Sequence, residues 1–147
     1  MLDVTTDQIR VFLHILAATV WIGGQITLGI VVPLLRPAGT EVVHAAARRY
    51  QMIAWPAYGV LLVTGAWNLI DADLDAMSDM WISTLSVKLW LVLISGAAAF
   101  GHQLVGAHAG ATDDPDRAKK LRMFSGILAG VALLSAIASA FFGVQLA

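Results

Sequence analysis

Two apolar stretches of this sequence carry polar residues at helical spacing. In the first, Trp21 and Gln25 each fall within about 20° of His14 on a helical wheel, because each residue turns a helix by about 100°. A later stretch carries a set that recurs every seven residues and shares one face: Lys88, Ser95 and His102. A polar side chain that faces lipid is costly. We therefore expect both polar faces to point into the protein.

Histidine in such a position is suited to binding haem. Neutral imidazole is a common axial ligand of haem iron, and helix bundles hold cofactors between facing helices. We expect His14 to be the first haem-iron ligand, whereas His102 is either a second ligand at a separate place or a proton-handling group. Trp21 would line the cofactor site. The haem propionates need cations, which the sequence offers at Lys88, Arg36, Arg48 and Arg49. Lys88 and Arg36 are the candidate catalytic residues.

A copper site is the alternative metal chemistry. Met77 and Met80 form an M-x-x-M pair, and thioether sulfur suits Cu(I). The chain has no cysteine, which excludes disulfides and thiolate metal sites. Structural roles also remain open for His14 and Lys88. His14 could hydrogen-bond a neighbouring helix, and Lys88 could extend to the membrane surface. The absence of acidic residues from the apolar stretches argues against hydrolysis and against a carboxylate-driven proton pump.

The composition indicates an integral membrane protein. Of 147 residues, 59% are hydrophobic and 13% are charged, whereas globular chains average about 45–50% and about 25%. A membrane-spanning helix needs about 20 apolar residues. Four stretches qualify within one domain that takes up the whole chain: 9–35, 52–70, 81–105 and 123–147. The net charge of −1 gives no basic surface for nucleic acid.

The charges between the stretches predict the topology. Seven of the nine basic residues lie between the first and second stretches or between the third and fourth, whereas residues 71–80 are acidic. The positive-inside rule places the basic segments in the cytoplasm. We expect an all-α antiparallel four-helix bundle with both termini extracytoplasmic, in a cell membrane of the bacterial inner-membrane type. His14 and Lys88 then lie near the outer surface and His102 near the inner one, so His14 and His102 do not share a metal.

Small residues recur at four-residue spacing in the last stretch, where they would let helices approach closely. They form two sets: Gly126 with Gly130, and Ser135, Ser139 and Gly143.

Motifs along all four stretches resemble one membrane-protein superfamily. Residues 12–24 read FLHILAATVWIGG, with Pro33 and Arg36 following. This pattern resembles the first helix of the CopD-type copper-resistance membrane domain and of the related HemJ-type membrane protoporphyrinogen IX oxidases. The likeness continues through these segments: Arg48-Arg49-Tyr50 before Pro56, Gly65 to Leu69, Trp81, Val87-Lys88-Leu89 and His102. The resemblance implies a small membrane bundle with functional His14 and Lys88 and, on the oxidase side, bound haem b.

These observations predict a membrane b-type haem redox protein, an oxidoreductase that acts on a tetrapyrrole or exchanges electrons with a quinone-linked partner. His102 is then a second ligand or a proton-handling group. A CopD-like copper transporter is the alternative, with Met77 and Met80 capturing the metal and His14 receiving it. A cofactor-free subunit of a membrane complex is the third reading. A homo-oligomer is compatible with all three.

Overall fold

The computed structural model describes residues 4–146, and every regular element among them is a helix. There are four long α-helices: α1 (Thr6–Leu35), α2 (Thr40–Ile70), α3 (Asp79–Ala111) and α4 (Pro115–Val144). Two short 3-10 helices, Arg36–Ala38 and Leu74–Ala76, lie between them. All four long helices are long and apolar enough to cross a membrane.

Side-chain caps define where three of the helices begin. Thr5 and Gln8 form a capping box at α1, in which each side chain bonds the backbone of the other. Ser78 accepts from the backbone N–H of Trp81 at the start of α3. Asp114 caps α4, and Pro115 occupies its first turn, where the missing N–H costs nothing. The turn before α2 uses Gly39 at a φ of 107°, a conformation that costs glycine little.

The chain divides into two compact units, one ending at Asp75 and one beginning at Ala76. The first unit is a hairpin of α1 and α2, which we call the first hairpin. Its helices are antiparallel, because His14 contacts Thr64 whereas Trp21, farther along α1, contacts the earlier residue Tyr58. The second hairpin is formed by α3 and α4. It is antiparallel too, since the contacts of α3 move toward the start of α4 as α3 proceeds.

In the second hairpin small side chains are buried, and many large apolar side chains of all four helices are exposed. Every residue of α3 and α4 that is fully buried is alanine, serine or glycine. Large side chains stand outward along all four helices, with Phe12 62%, Met52 67%, Trp90 67% and Leu134 68% exposed. Helices that associate in lipid have this arrangement, because close backbone approach binds them together and apolar side chains are already solvated by lipid.

The helices extend beyond the apolar stretches that predicted them. Arg48 and Arg49, which the sequence assigned to a loop, lie inside α2, and α4 already includes the basic residues before Met123. Only residues 36–39 and 112–114 interrupt the helices within the two hairpins. Hydropathy marks where apolar side chains begin, whereas the backbone continues as a helix through residues such as Ala45–Ala47 that favour it. The expected end of the fourth stretch, Ala147, lies outside the described residues.

Candidate functional site

The first hairpin holds the imidazole ring of His14 against Thr64 of α2. His14 Nδ1 lies 2.7 Å from Thr64 Oγ1, and the same hydroxyl lies 2.7 Å from the carbonyl of Val60. A hydroxyl has one proton. With the Thr64 hydroxyl donating to its own helix at Val60, the geometry fits the tautomer in which His14 donates from Nδ1 to Thr64. In that tautomer the lone pair of a neutral ring is on Nε2.

Arg10 lies one helical turn before His14 on α1. Its guanidinium forms ion pairs with Asp7 and with Asp71, which ties the start of α1 to the end of α2. It also lies 5.7 Å from the ring centre of Trp67. The Arg10 side chain is 11% exposed, and its Nε atom has no hydrogen-bond partner among residues 4–146. Buried donors are rarely left in this state.

An aromatic cluster follows His14 toward the end of α1, between the same two helices. The ring of Trp21 lies 4.6 Å from that of Tyr58 and 5.7 Å from that of Trp55, centre to centre. Tyr50 donates its hydroxyl to the carbonyl of Trp21 at 3.1 Å. The Tyr50 ring passes directly over Gly24, where a Cβ atom would come within 2.1 Å of it. These contacts fix the expected cofactor-lining residue Trp21 in a packed and largely dry position.

In the second hairpin, three serine hydroxyls bond carbonyls of the opposite helix. Ser139 donates to Lys88 at 3.4 Å, and Ser95 donates to Ala132 at 2.8 Å. Ser125 donates to His102 at 3.0 Å. From one contact to the next, the position moves seven residues toward the end of α3 and seven residues toward the start of α4. We call these three contacts the serine ladder. The predicted shared face of Lys88, Ser95 and His102 is thereby confirmed, and it faces α4.

His102 has its proton on the same ring nitrogen as His14. Its Nδ1 lies 2.9 Å from the Ser125 carbonyl, which only accepts, and 2.8 Å from the Ser125 hydroxyl. Because that hydroxyl donates to the His102 carbonyl, Nδ1 carries the ring proton. Each hairpin thus presents one imidazole whose Nδ1 is hydrogen-bonded to the partner helix. This arrangement is typical of histidine ligands, whose second nitrogen is fixed by a hydrogen bond.

Comparison with protein-family models, with curated proteins and with solved structures found no match to this chain. The geometry of the two hairpins therefore supplies the functional argument. Within residues 4–146, no three histidine or acidic side chains converge into a metal-ion site. A haem differs from a bare ion in this respect, since its porphyrin provides four ligands and the protein needs to add one or two.

The remaining predicted site residues of the first hairpin lie apart from His14. Arg36 is in the 3-10 helix that follows α1. Arg48 and Arg49 are exposed residues of α2, about 24 Å along the helix from Thr64 at 1.5 Å per residue. They are therefore at the opposite end of the first hairpin and do not join the His14 site. Met80 is in the first turn of α3 and 80% exposed, and Met77 precedes that helix.

Lys88 meets the end of α4. Gly143 is in the last turn of α4, and a Cβ atom there would lie 3.2 Å from Lys88 Nζ. The last turn of a helix has unpaired carbonyls and a partial negative charge. The lysine therefore has an attractive environment that does not require a carboxylate. Of the small residues predicted to mediate packing, Ser139 and Gly143 contact α3, whereas a Cβ at Gly126 or Gly130 would meet no described atom within 4 Å.

Sequence reasoning missed the residues that contact the predicted site residues from the neighbouring helix. Thr64, Tyr50 and Asp71 are ordinary in type, and only the pairing of α1 with α2 makes them parts of a site. Arg10 had a visible signal: it lies four residues before His14, so the two share a helix face.

Proposed function

We propose that the chain is an integral membrane protein whose four helices cross the bilayer in alternating directions, with both termini outside the cytoplasm. The short connections within each hairpin support the alternation. The connecting ends carry Arg36, Arg48 and Arg49 in the first hairpin and a basic cluster at residues 117–122 in the second, as the positive-inside rule expects for cytoplasmic ends.

We further propose that the protein binds haem b and acts as a membrane redox protein, with His14 as an axial ligand. The observation that supports this proposal is the hydrogen bond between His14 and Thr64, because its geometry fits the tautomer with the ring proton on Nδ1 and the lone pair on Nε2. A bound haem would supply reversible one-electron chemistry. The protein's part is to fix the ligand, exclude water and neutralise the propionates.

Two features of the first hairpin fit a haem. The buried Nε–H of Arg10 has no partner among the described residues. Arg10 precedes His14 by four residues, which is a rise of about 6 Å along α1 at 1.5 Å per residue. A propionate carboxylate would satisfy this donor. The cluster of Trp21, Trp55 and Tyr58 packs on the inner side of His14; Trp21 and Tyr58 are buried, so the partly exposed Trp55 is the ring that a haem would contact. Arg10 thus takes the role that the sequence assigned to Arg36, Arg48 and Arg49.

Lys88 and His102 have separate proposed roles in the second hairpin. The Lys88 ammonium, held beside Gly143, is suited to a carboxylate of an anionic substrate. His102 has the tautomer of a ligand or of a proton acceptor at Nε2. A tetrapyrrole carries carboxylates that Lys88 would bind, so it is the substrate class that Lys88 matches; His102, about 21 Å along α3 from Lys88, acts apart from it. A quinone-linked partner would receive the electrons.

The experiment that tests the haem assignment is the absorption spectrum of the purified protein and of two variants. We expect a Soret band in the wild type and its loss in His14→Ala. Thr64→Val keeps the side-chain shape but removes the acceptor of the Nδ1–H bond. Loss of such a supporting contact typically weakens metal or cofactor binding about 10- to 100-fold, which a haem titration of the protein measures.

Thr27→Val is the matched control. Thr27 also bonds its own helix, at Gly23, but it is exposed and lies on α1. The haem affinity of Thr27→Val should therefore equal that of the wild type. Equal affinities of Thr64→Val and wild type would contradict the role of the tautomer. A folded wild-type protein that takes up no haem, or that copurifies with copper instead, would overturn the proposed function.

A further inference from the structure

The structure assigns a binding site for an anionic phospholipid headgroup to the start of α4. A shallow groove there is lined by four side chains: Asp116, Lys119, Lys120 and Met123. On a helix these positions fall within an arc of about 100°, so they form one face. We call this set the α4 groove. The inference relies on the membrane insertion of the chain and is independent of haem binding.

The charge of the α4 groove matches a phosphodiester. Two ammonium groups and one carboxylate give it a formal net charge of +1, which complements the single negative charge of a phospholipid such as phosphatidylglycerol. Lys119 and Lys120 are exposed and neither forms an ion pair within the described chain. Asp116 offers an acceptor to the hydroxyl groups of a glycerol headgroup. Basic clusters next to a membrane span attract anionic lipids in this way.

Backbone N–H groups at the start of α4 already have a hydrogen-bond partner within the protein. The carboxylate of Asp114 accepts from the backbone N–H groups of Asp116 and Arg117 at 2.9 and 3.2 Å. An anion at this position is therefore bound by the lysine side chains of the α4 groove and not by free amides of the first turn.

Apolar surface directly below the lysines distinguishes a lipid from a free anion. Met123, the innermost residue of the α4 groove, is 66% exposed, and the adjacent Phe124 is 51% exposed. From this point α4 has no charged residue as far as its end at Val144. A ligand with an anionic head and hydrocarbon chains contacts the lysines and the apolar side chains together, whereas inorganic phosphate contacts the lysines alone.

Lipid binding to the full-length protein in a neutral detergent tests the site. Native mass spectrometry with equal amounts of phosphatidylglycerol and phosphatidylcholine would count the bound lipids. We expect preferential binding of phosphatidylglycerol and a loss of about 10- to 30-fold in its affinity in the double variant Lys119→Gln/Lys120→Gln, from two cations near the membrane surface. Met123→Ser should also weaken binding, because it removes the apolar contact and leaves every charge.

Arg117→Gln/Arg122→Gln is the matched control. It removes the same charge from the same turns of α4, at positions that do not line the α4 groove. If this variant loses as much affinity as the lysine pair, the attraction is diffuse and the site is refuted. Competition by millimolar inorganic phosphate would refute a lipid and indicate a free-anion site. His14→Ala should bind phosphatidylglycerol like the wild type. Failure of the haem proposal can therefore be distinguished from failure of the lipid proposal.

Discussion

Gly143 leaves open the space that the ammonium group of Lys88 occupies beside the last turn of α4. A Cβ at this position would lie 3.2 Å from Nζ and 3.5 Å from Cε of the lysine. The attraction between the cation and the carbonyl end of the helix explains how a lysine can be held among apolar residues. The absence of a side chain at Gly143 is what allows the approach.

Gly143→Leu should therefore release Lys88. The leucine side chain fills the space of the ammonium group, so Lys88 should react faster with a membrane-permeant amine reagent, as peptide mass spectrometry of Lys88 would measure. Gly126→Leu is the control, because no described atom lies within 4 Å of a Cβ at Gly126. Equal reaction rates in Gly143→Leu and wild type would mean that the contact does not restrain the lysine.

Gly24→Ala should destabilise the first hairpin. Its Cβ would lie 2.1 Å from the Tyr50 ring, so the ring must move and the bond from Tyr50 to the Trp21 carbonyl is lost. Overpacking of this kind costs about 1–3 kcal/mol. Reversible unfolding in mixed detergent micelles measures the difference. Gly23→Ala, with open space at the neighbouring position, should be neutral or stabilising by up to about 1 kcal/mol; a comparable loss there would point to a general effect of replacing glycine.

Ser95→Ala should weaken the second hairpin by a smaller amount. Ser95 is 1% exposed and donates to the Ala132 carbonyl of α4. Hydrogen bonds between membrane helices contribute about 0.6 kcal/mol on average and up to about 1.7 kcal/mol. Ser86→Ala removes a hydroxyl that bonds only its own helix at Ile82 and should leave the unfolding free energy unchanged. The prediction fails if the two variants are equally stable.

The topology can be tested by single cysteines, since the chain has none of its own. A cysteine at Asp75 should react with an impermeant maleimide in intact cells, because the acidic connection is proposed to lie outside. A cysteine at Asp113, in the short connection between α3 and α4, should react only after lysis. The reverse pattern would invert the topology and place the α4 groove on the outer surface.

The sequence predicted the helices and their polar faces better than it predicted the contacts. Apolar length alone indicated all four helices, and the seven-residue spacing of Lys88, Ser95 and His102 placed them on one face, which α4 covers. Periodicity describes a single helix. It does not identify the residues on the next helix that will face it, so the partners Thr64 and Tyr50 could not be derived.

The helix ends were also partly readable. Asp114 followed by Pro115 is a recognised start signal for a helix, and it marks the true beginning of α4, eight residues before the apolar stretch. The end of α1 at Leu35 and the turn at Gly39 follow similarly from the Arg36-Pro37 pair and from glycine. A hydropathy profile does not show where these helices end. Charged residues such as Arg48 and Arg49 lower the hydropathy but are compatible with helical backbone, so the helix continues beyond the apolar stretch.

The serine ladder also determines how α3 and α4 wrap around each other. An undistorted α-helix has 3.6 residues per turn, so positions seven apart drift by about 20° per repeat. Three successive contacts at this spacing remain aligned only if the two helices coil in a left-handed sense, as in coiled coils. One residue inserted between Lys88 and Ser95 would rotate the lysine by about 100° relative to the contacts below it. Such an insertion would leave the hydropathy profile almost unchanged while removing Lys88 from the end of α4.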